Sequence, residues 1–192
     1  MTQLKVGVLA VQGSFILHVR ALENVGVEPV EVRRSSHLEG LSGIILPGGE
    51  STTFHIMLNQ DDLGERLVAR LREGLPAWGT CAGAIMLGRG NGIPPRWGLI
   101  GVDVARNSYG RQVDSFIAPI DIVGFDNPFN AVFIRAPRFT KLESDVATLA
   151  SYQGDPVMAR QGSILISAFH PELTSDLRVH RYFIEQFCNK FV

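Results

Sequence analysis

The chain has 192 residues, 45% apolar and 19% charged, with a formal net charge of -1; this balance belongs to ordinary globular proteins and excludes disordered and fibrous classes. With charges so even and no run of like sign, nothing offers an electrostatic footprint for nucleic acid or an anionic membrane. At this length, one catalytic domain spanning residues 1–192 is expected.

Short runs rich in Val, Ile and Leu alternate with segments of helical period. The alternation predicts an α/β fold of three layers, a mostly parallel central sheet flanked by helices. Lys5 to Val11 is the first strand and Phe15 to Asn24 the first helix. Glu28 to Val32 and Gly43 to Leu46 are further strands, the second running into the loop Pro47-Gly48-Gly49-Glu50-Ser51. Helices are expected over Thr52 to Asn59 and Leu63 to Glu73. A strand over Leu75 to Trp78 then leads into Gly79-Thr80-Cys81-Ala82-Gly83 and another helix.

Gly88 to Gly98, with Pro94 and Pro95, reads as a surface loop. Beyond it lie strand-like pieces near Val102 to Arg106, Ser115 to Ile122, Val132 to Arg135, Thr148 to Tyr152, Val157 to Arg160 and Ile164 to Phe169. Their texture predicts antiparallel or mixed pairing. A helix of roughly a dozen residues starts at Arg178, with Val179, Phe183, Ile184 and Phe187 on one face.

The first apolar stretch is broken by Gly7 and Gln12, too short for a signal-peptide core or a membrane span, so a cytoplasmic protein is expected. Only two cysteines occur, and a domain of this size does not need a disulfide. Cys188 falls in the amphipathic C-terminal segment and is expected to be a small buried hydrophobe.

Cys81 has a different setting. A side chain exposed on a sharp strand-to-helix turn needs neighbours without bulk, and Gly79 and Gly83 lie two positions to either side. The thiol then stands at a helix N-terminus, where backbone N–H groups favour an anion. A thiolate nucleophile also needs a base, a group to orient that base, and N–H donors for an oxyanion. Of the five histidines, only His170 ends a strongly apolar strand and has a carboxylate two residues on, in His170-Pro171-Glu172. Pro171 biases His170 toward an extended backbone, in which residues i and i+2 share a side and Glu172 can hold the imidazole. His18, His37, His55 and His180 have no such local partner and are expected to be surface or packing residues. Gly49, in the loop after another strand, and Ala82 are the expected oxyanion-hole donors.

The strings GTCAG, PGGEST and FHPE together resemble the class I, triad-type glutamine amidotransferases. GVLAVQG, LPGGESTT, RNSYGRQVDSF, FIRAP and FHPELT further resemble the glutaminase subunit of pyridoxal 5'-phosphate synthase, in register along nearly the whole chain. The resemblance implies a flavodoxin-like glutaminase domain with Cys81 as nucleophile, His170 as general base and acid, and Glu172 orienting it. It places glutamine-binding residues at Gly49, Glu50, Ser51, Arg106, Ile134 and Arg135. An amino acid's α-carboxylate and α-ammonium need a cation and an anionic or carbonyl partner, which Arg106, Arg135 and Glu50 can supply.

By the same resemblance the substrate is L-glutamine, no metal or organic cofactor is needed, and a separate synthase subunit uses the ammonia. Gln12 and the first helix are contacts by resemblance only. The chain departs from the family pattern at Leu17 and Ile117, where acidic residues are common, which bears on the partner interface and not on the triad. Other readings fit less well: RNSYGRQ argues against the glutaminase of imidazole glycerol phosphate synthesis, and the intact HPE against a silent binding protein. The single glycine in VQGSF argues against a dinucleotide site.

Overall fold

The structure, a computed structural model, describes residues 4–10, 14–49, 54, 56, 58, 62–90, 96–105 and 115–189. Val11, Gln12, Glu50, Ser51, His55, Pro94, Pro95 and Arg106 lie outside these residues, as does most of the helix expected over Thr52 to Asn59. Within that helix Phe54, Ile56 and Leu58 are helical, with Phe54 and Leu58 buried.

The elements follow in chain order as β1 (Lys5–Leu9), α1 (Phe15–Asn24), β2 (Glu28–Val32), β3 (Gly43–Leu46), α2 (Leu63–Arg72), β4 (Ala77–Thr80) and α3 (Ala82–Leu87). The second half supplies β5 (Val102–Ala105), β6 (Ser115–Ile120), β7 (Phe129–Ile134), β8 (Arg138–Leu142), β9 (Ala147–Tyr152), β10 (Asp155–Gln161), β11 (Ile164–Ser167) and α4 (Arg178–Phe183).

Seven strands form the main sheet in the order β2-β1-β3-β4-β11-β10-β9. The first five run parallel, while β10 is antiparallel to both β11 and β9. The central strands β3, β4 and β11 are buried at every position, as a strand covered on both faces must be, whereas edge strand β2 is mostly half-buried. Two antiparallel ribbons, β5 with β8 and β6 with β7, supply the mixed character expected of the second half.

The structure corrects three local expectations. The strand before Cys81 is Ala77–Thr80, shifted from Leu75 to Trp78, because its register is fixed by pairing with both β3 and β11. Strand β8 had no counterpart in the sequence reading, since RFTKL buries only Phe139. The C-terminal helix turns from α-helical to π-helical over Ile184–Cys188. Its predicted apolar face holds: Val179, Phe183, Ile184 and Phe187 are all buried.

Trp78 of β4 lies at the centre of one sheet face, fully buried, in contact with the rings of His18, His180 and Phe183. Its indole N–H donates to Ser167 Oγ at 3.2 Å, so the one polar atom of the ring is satisfied. The strand order of the parallel half reverses between β1 and β3, and in such sheets sites form beyond the carboxyl ends of the strands near that point. Ser14, Gly48 and Gly49, Cys81, and His170 follow the carboxyl ends of β1, β3, β4 and β11 respectively.

Candidate active site

Cys81 sits directly between the last residue of β4 and the first of α3. The turn imposes φ 48° and ψ -100° on it, a conformation that costs a non-glycine residue about 1–3 kcal/mol and is sustained only by its surroundings. Those surroundings are specific. The Cys81 N–H donates to the Ser167 carbonyl of β11 at 2.9 Å, and its own carbonyl accepts the first α3 bond from Ile85 N–H at 3.2 Å. A Cβ on Gly83 would lie 2.0 Å from the Leu46 carbonyl oxygen, and one on Gly79 would lie 2.5 Å from the Gly83 carbonyl carbon. Both glycines therefore allow β4, α3 and the end of β3 to close around the cysteine. Ala82 is the first residue of α3, so its N–H is among those the helix leaves without an internal acceptor.

His170 reaches the same place from β11, its N–H donating to the Val132 carbonyl of β7 at 2.8 Å. The imidazole is hydrogen-bonded through Nδ1 to Glu172 Oε1 at 2.8 Å, and Cys81 acts electrostatically on the same ring. The route to that contact differs from the extended i, i+2 arrangement expected. His170 itself is non-helical, at φ -110° and ψ 85°, but Pro171–Leu173 forms a 3-10 turn with Pro171 at its start. The proline ring presets the φ such a turn needs, and the turn folds the Glu172 carboxylate back under the imidazole. Gly48 packs against the same ring: a Cβ there would lie 2.3 Å from His170 Cε1. The absence of a side chain at Gly48 is what lets the PGGES loop approach the base.

Burial disfavours a charged His170, but the polar contacts and charges of Cys81 and Glu172 outweigh it and raise the imidazole to about 10. The same contest occurs at Glu172. Burial would push its carboxyl up; the charge of His18, followed by the polar contacts of His170 and His18 and the charge of His170, holds it well below the usual carboxylate range.

His18 and His180 therefore require correction. Each has a polar partner that no local motif announces. Both are fully buried, with His18 Nε2 lying 3.3 Å from Glu172 Oε2 and His18 Nδ1 3.0 Å from His180 Nε2. Ser14, not singled out from sequence, donates its hydroxyl to Glu172 Oε1 at 2.5 Å. Of the remaining expectations, His37 is half-buried near the surface, bonded to the Glu31 carbonyl and Arg34, and Cys188 is fully buried, its thiol pushed up to about 12 by burial.

The carboxyl end of β7 completes the surroundings of the thiol. Cys81 Sγ is 3.9 Å from the Ile134 carbonyl oxygen. Arg135, exposed, takes φ 44°, a second non-glycine residue in the left-handed region at this end of the molecule. Gly49, at φ 148°, occupies backbone space reserved largely for glycine. Glu50, Ser51 and Arg106 lie outside the described residues. Also among the described residues, no helix is long and apolar enough to cross a membrane.

Comparison with known proteins matches residues 8–189 to the SNO glutamine amidotransferase family. The chain is 49% identical over 186 residues to the pyridoxal 5'-phosphate synthase subunit PdxT of Thermotoga neapolitana, covering 95% of this chain and 98% of that one. The subunit of the same name from Pelotomaculum thermopropionicum is 51% identical over 187 residues, covering 95% of each. Among solved structures, a crystal structure of a glutamine amidotransferase superposes with a TM-score of 0.88 at 47% identity, over 94% of this chain and 97% of that one. A glutamine amidotransferase from Thermotoga maritima, at 14% identity and a TM-score of 0.61 over 99% of this chain and 84% of that one, shares the fold.

Proposed function

We propose an activity that follows from one premise: the chain belongs to the SNO glutamine amidotransferase family, and it acts as the glutaminase subunit of pyridoxal 5'-phosphate synthase. It hydrolyses L-glutamine to L-glutamate and ammonia and passes the ammonia to a separate synthase subunit. The observation that carries this reading is the convergence of Cys81, on a strained strand-to-helix turn, with a His170 imidazole bound to Glu172.

In the proposed reaction Cys81 gives its proton to His170, and the sulfur attacks the side-chain carboxamide of glutamine. The oxyanion of the tetrahedral intermediate is received by the backbone N–H groups of Gly49 and Ala82. His170, now carrying the proton taken from Cys81, donates it to the departing nitrogen, so ammonia leaves and a γ-glutamyl thioester remains on Cys81. A water molecule deprotonated by His170 then attacks the thioester, releasing glutamate and returning the proton to the thiol. Glu172 fixes the His170 Nδ1–H throughout. The sequence of steps uses no metal or organic cofactor.

Gly49, Glu50, Ser51, Arg106, Ile134 and Arg135 are the proposed glutamine-binding residues. The Ile134 carbonyl beside the thiol supports the last part of that set. Residues 1–192 act as one glutaminase domain, and the cytoplasm, where both cysteines stay reduced, is its proposed setting.

A glutamate-release assay with and without the synthase subunit tests the reading. Wild-type protein is expected to be weakly active alone and stimulated by the subunit, and Cys81→Ala to be inactive in both conditions while still binding it. Undiminished release by Cys81→Ala would exclude the triad, and full activity with no response to the subunit would exclude the coupling.

A further inference from the structure

Behind the triad lies a second layer of polar groups in a part of the fold that is otherwise apolar. Glu172 is 6% exposed, and its two carboxylate oxygens are held from different elements. Oε1 accepts from His170 Nδ1 at 2.8 Å and from Ser14 Oγ at 2.5 Å. Oε2 faces His18 Nε2 of α1 at 3.3 Å, and His18 is backed by His180 of α4 at 3.0 Å. Trp78 packs edge-on against both histidine rings, with centroids 5.6 and 5.0 Å away, and seals the pair from solvent.

Tautomer chemistry fixes what this arrangement does. A bare Nε2 on His18 would set a lone pair against the carboxylate, so His18 must carry its proton there, facing Oε2 at ion-pair distance without hydrogen-bond alignment. Its Nδ1 then faces His180 Nε2. His180 is driven down to about 3, first by burial and then by the charge of His18, with Glu172 opposing, and so is neutral. It donates to a neutral His18 and accepts from a charged one. His180 therefore supports the donating form of His18 in either state.

We propose that His18, backed by His180, is a positioning residue for the glutaminase reaction, holding the Glu172 carboxylate ionised and turned toward His170. This inference rests on the glutaminase reading above. Oε2 is buried without a hydrogen-bond partner, so the His18 N–H 3.3 Å away is the electrostatic contact that offsets its burial; without it the carboxylate relieves the burial by rotating or by taking a proton. Either response weakens its hold on the His170 Nδ1–H. His18 acts through Glu172, so its loss should affect turnover and not glutamine binding.

The test compares wild type, His18→Leu, His18→Gln and His180→Phe in the complex with the synthase subunit, by glutamate release across pH and by thermal unfolding. His18→Leu fills the space without a donor, and kcat is expected to fall roughly 10–100-fold, the usual effect of losing a group that orients a functional ligand. KM for glutamine should stay within about twofold of wild type, and the acid limb of kcat should move to higher pH as Glu172 becomes easier to protonate. His18→Gln keeps an N–H donor and should recover most of the rate. His180→Phe keeps the ring packing on Trp78 and should show a smaller loss of the same kind.

A folded His18→Leu with wild-type kcat and acid limb would overturn the proposal, as would a folded His18→Gln no better than Leu. If His18→Leu does not fold, unchanged kcat and pH dependence in His180→Phe overturn it instead. Absence of glutamate release from the wild-type complex would remove the underlying glutaminase reading, an outcome distinct from a normal wild type with indifferent His18 variants.

Discussion

Cys81, His170 and Glu172 share one low-dielectric site, and their charges make folding stability depend on pH in opposite senses. Unfolded, His170 titrates near 6.5; folded, at about 10. Between those values the native state keeps a proton that the unfolded chain releases, so the His170 contribution is whole below about 6.5 and is lost as pH rises toward 10. Glu172 is depressed below 4.5, so its contribution is present above that value and lost as pH falls below it toward the folded value. His180 moves from 6.5 to about 3, so as pH falls between them the unfolded chain gains a proton that the native state refuses, and stability declines.

Denaturant midpoints across pH should therefore peak near pH 6.5 and fall on both sides. Cys188, raised from 9 to about 12, adds to the alkaline loss only above about pH 9, which leaves the window from 6.5 to 9 to His170. Removing the Cys81 contribution in Cys81→Ala should lower the folded His170 value, so the alkaline decline still begins near 6.5 but is smaller and ends at lower pH. A midpoint that rose steadily from pH 6.5 to 9 would contradict the imidazolium site.

The grouping of Cys81, His170 and Glu172 was legible because each sits in a short local pattern, GTCAG or HPE. His18 and His180 were not. They stand 162 residues apart, and each looks like a helical histidine until α1 and α4 are laid against Trp78. Ser14 is likewise invisible until the start of α1 meets the turn that follows β11.

At the scale of elements, the same division between local and distant information holds. The bounds of α1, β2 and β3 follow from period and punctuation within each segment, whereas β4 takes its register from its two neighbours. Strand β8 alternates too weakly to read, and only its ladder with β5 defines it. The 3-10 turn after His170 shows how a proline that keeps one residue extended can start a helical turn at the next.

The π-helical stretch Ile184–Cys188 has a comparable dependence on β3. A Cβ on Gly43 would lie 2.5 Å from Cys188 Sγ and 3.3 Å from Phe183 Cζ, so strand and helix meet at a site sized for one sulfur and no methyl. Gly43→Ala should destabilise by about 1–3 kcal/mol through overpacking. Cys188→Ala should lose about 1 kcal/mol of burial. The double variant should be at least about 1 kcal/mol more stable than the two losses added. Strict additivity in urea denaturation would show that the contact does not set this packing.

Taken whole, the molecule is a flavodoxin-like sheet whose carboxyl-end loops converge on one thiol, with an antiparallel extension and two ribbons added by the second half of the chain. The β6–β7 ribbon is tied to the site through the His170 N–H bond to Val132 and the Ile134 carbonyl beside Cys81. Fold class and family were readable from the sequence because the chain carries the motifs of one family nearly end to end. The glutamine-binding set was read through that resemblance, and Glu50, Ser51 and Arg106 fall outside the described residues.

The central claim is that Cys81 is acylated by glutamine with His170 as its proton carrier. Acid quenching of the complex during turnover, followed by mass mapping of its peptides, examines that step directly. A γ-glutamyl group should appear on the peptide containing Cys81 and be absent from Cys81→Ala, which should release no glutamate. Sustained glutamate release with Cys81 unmodified, or replaced by alanine, would contradict the account.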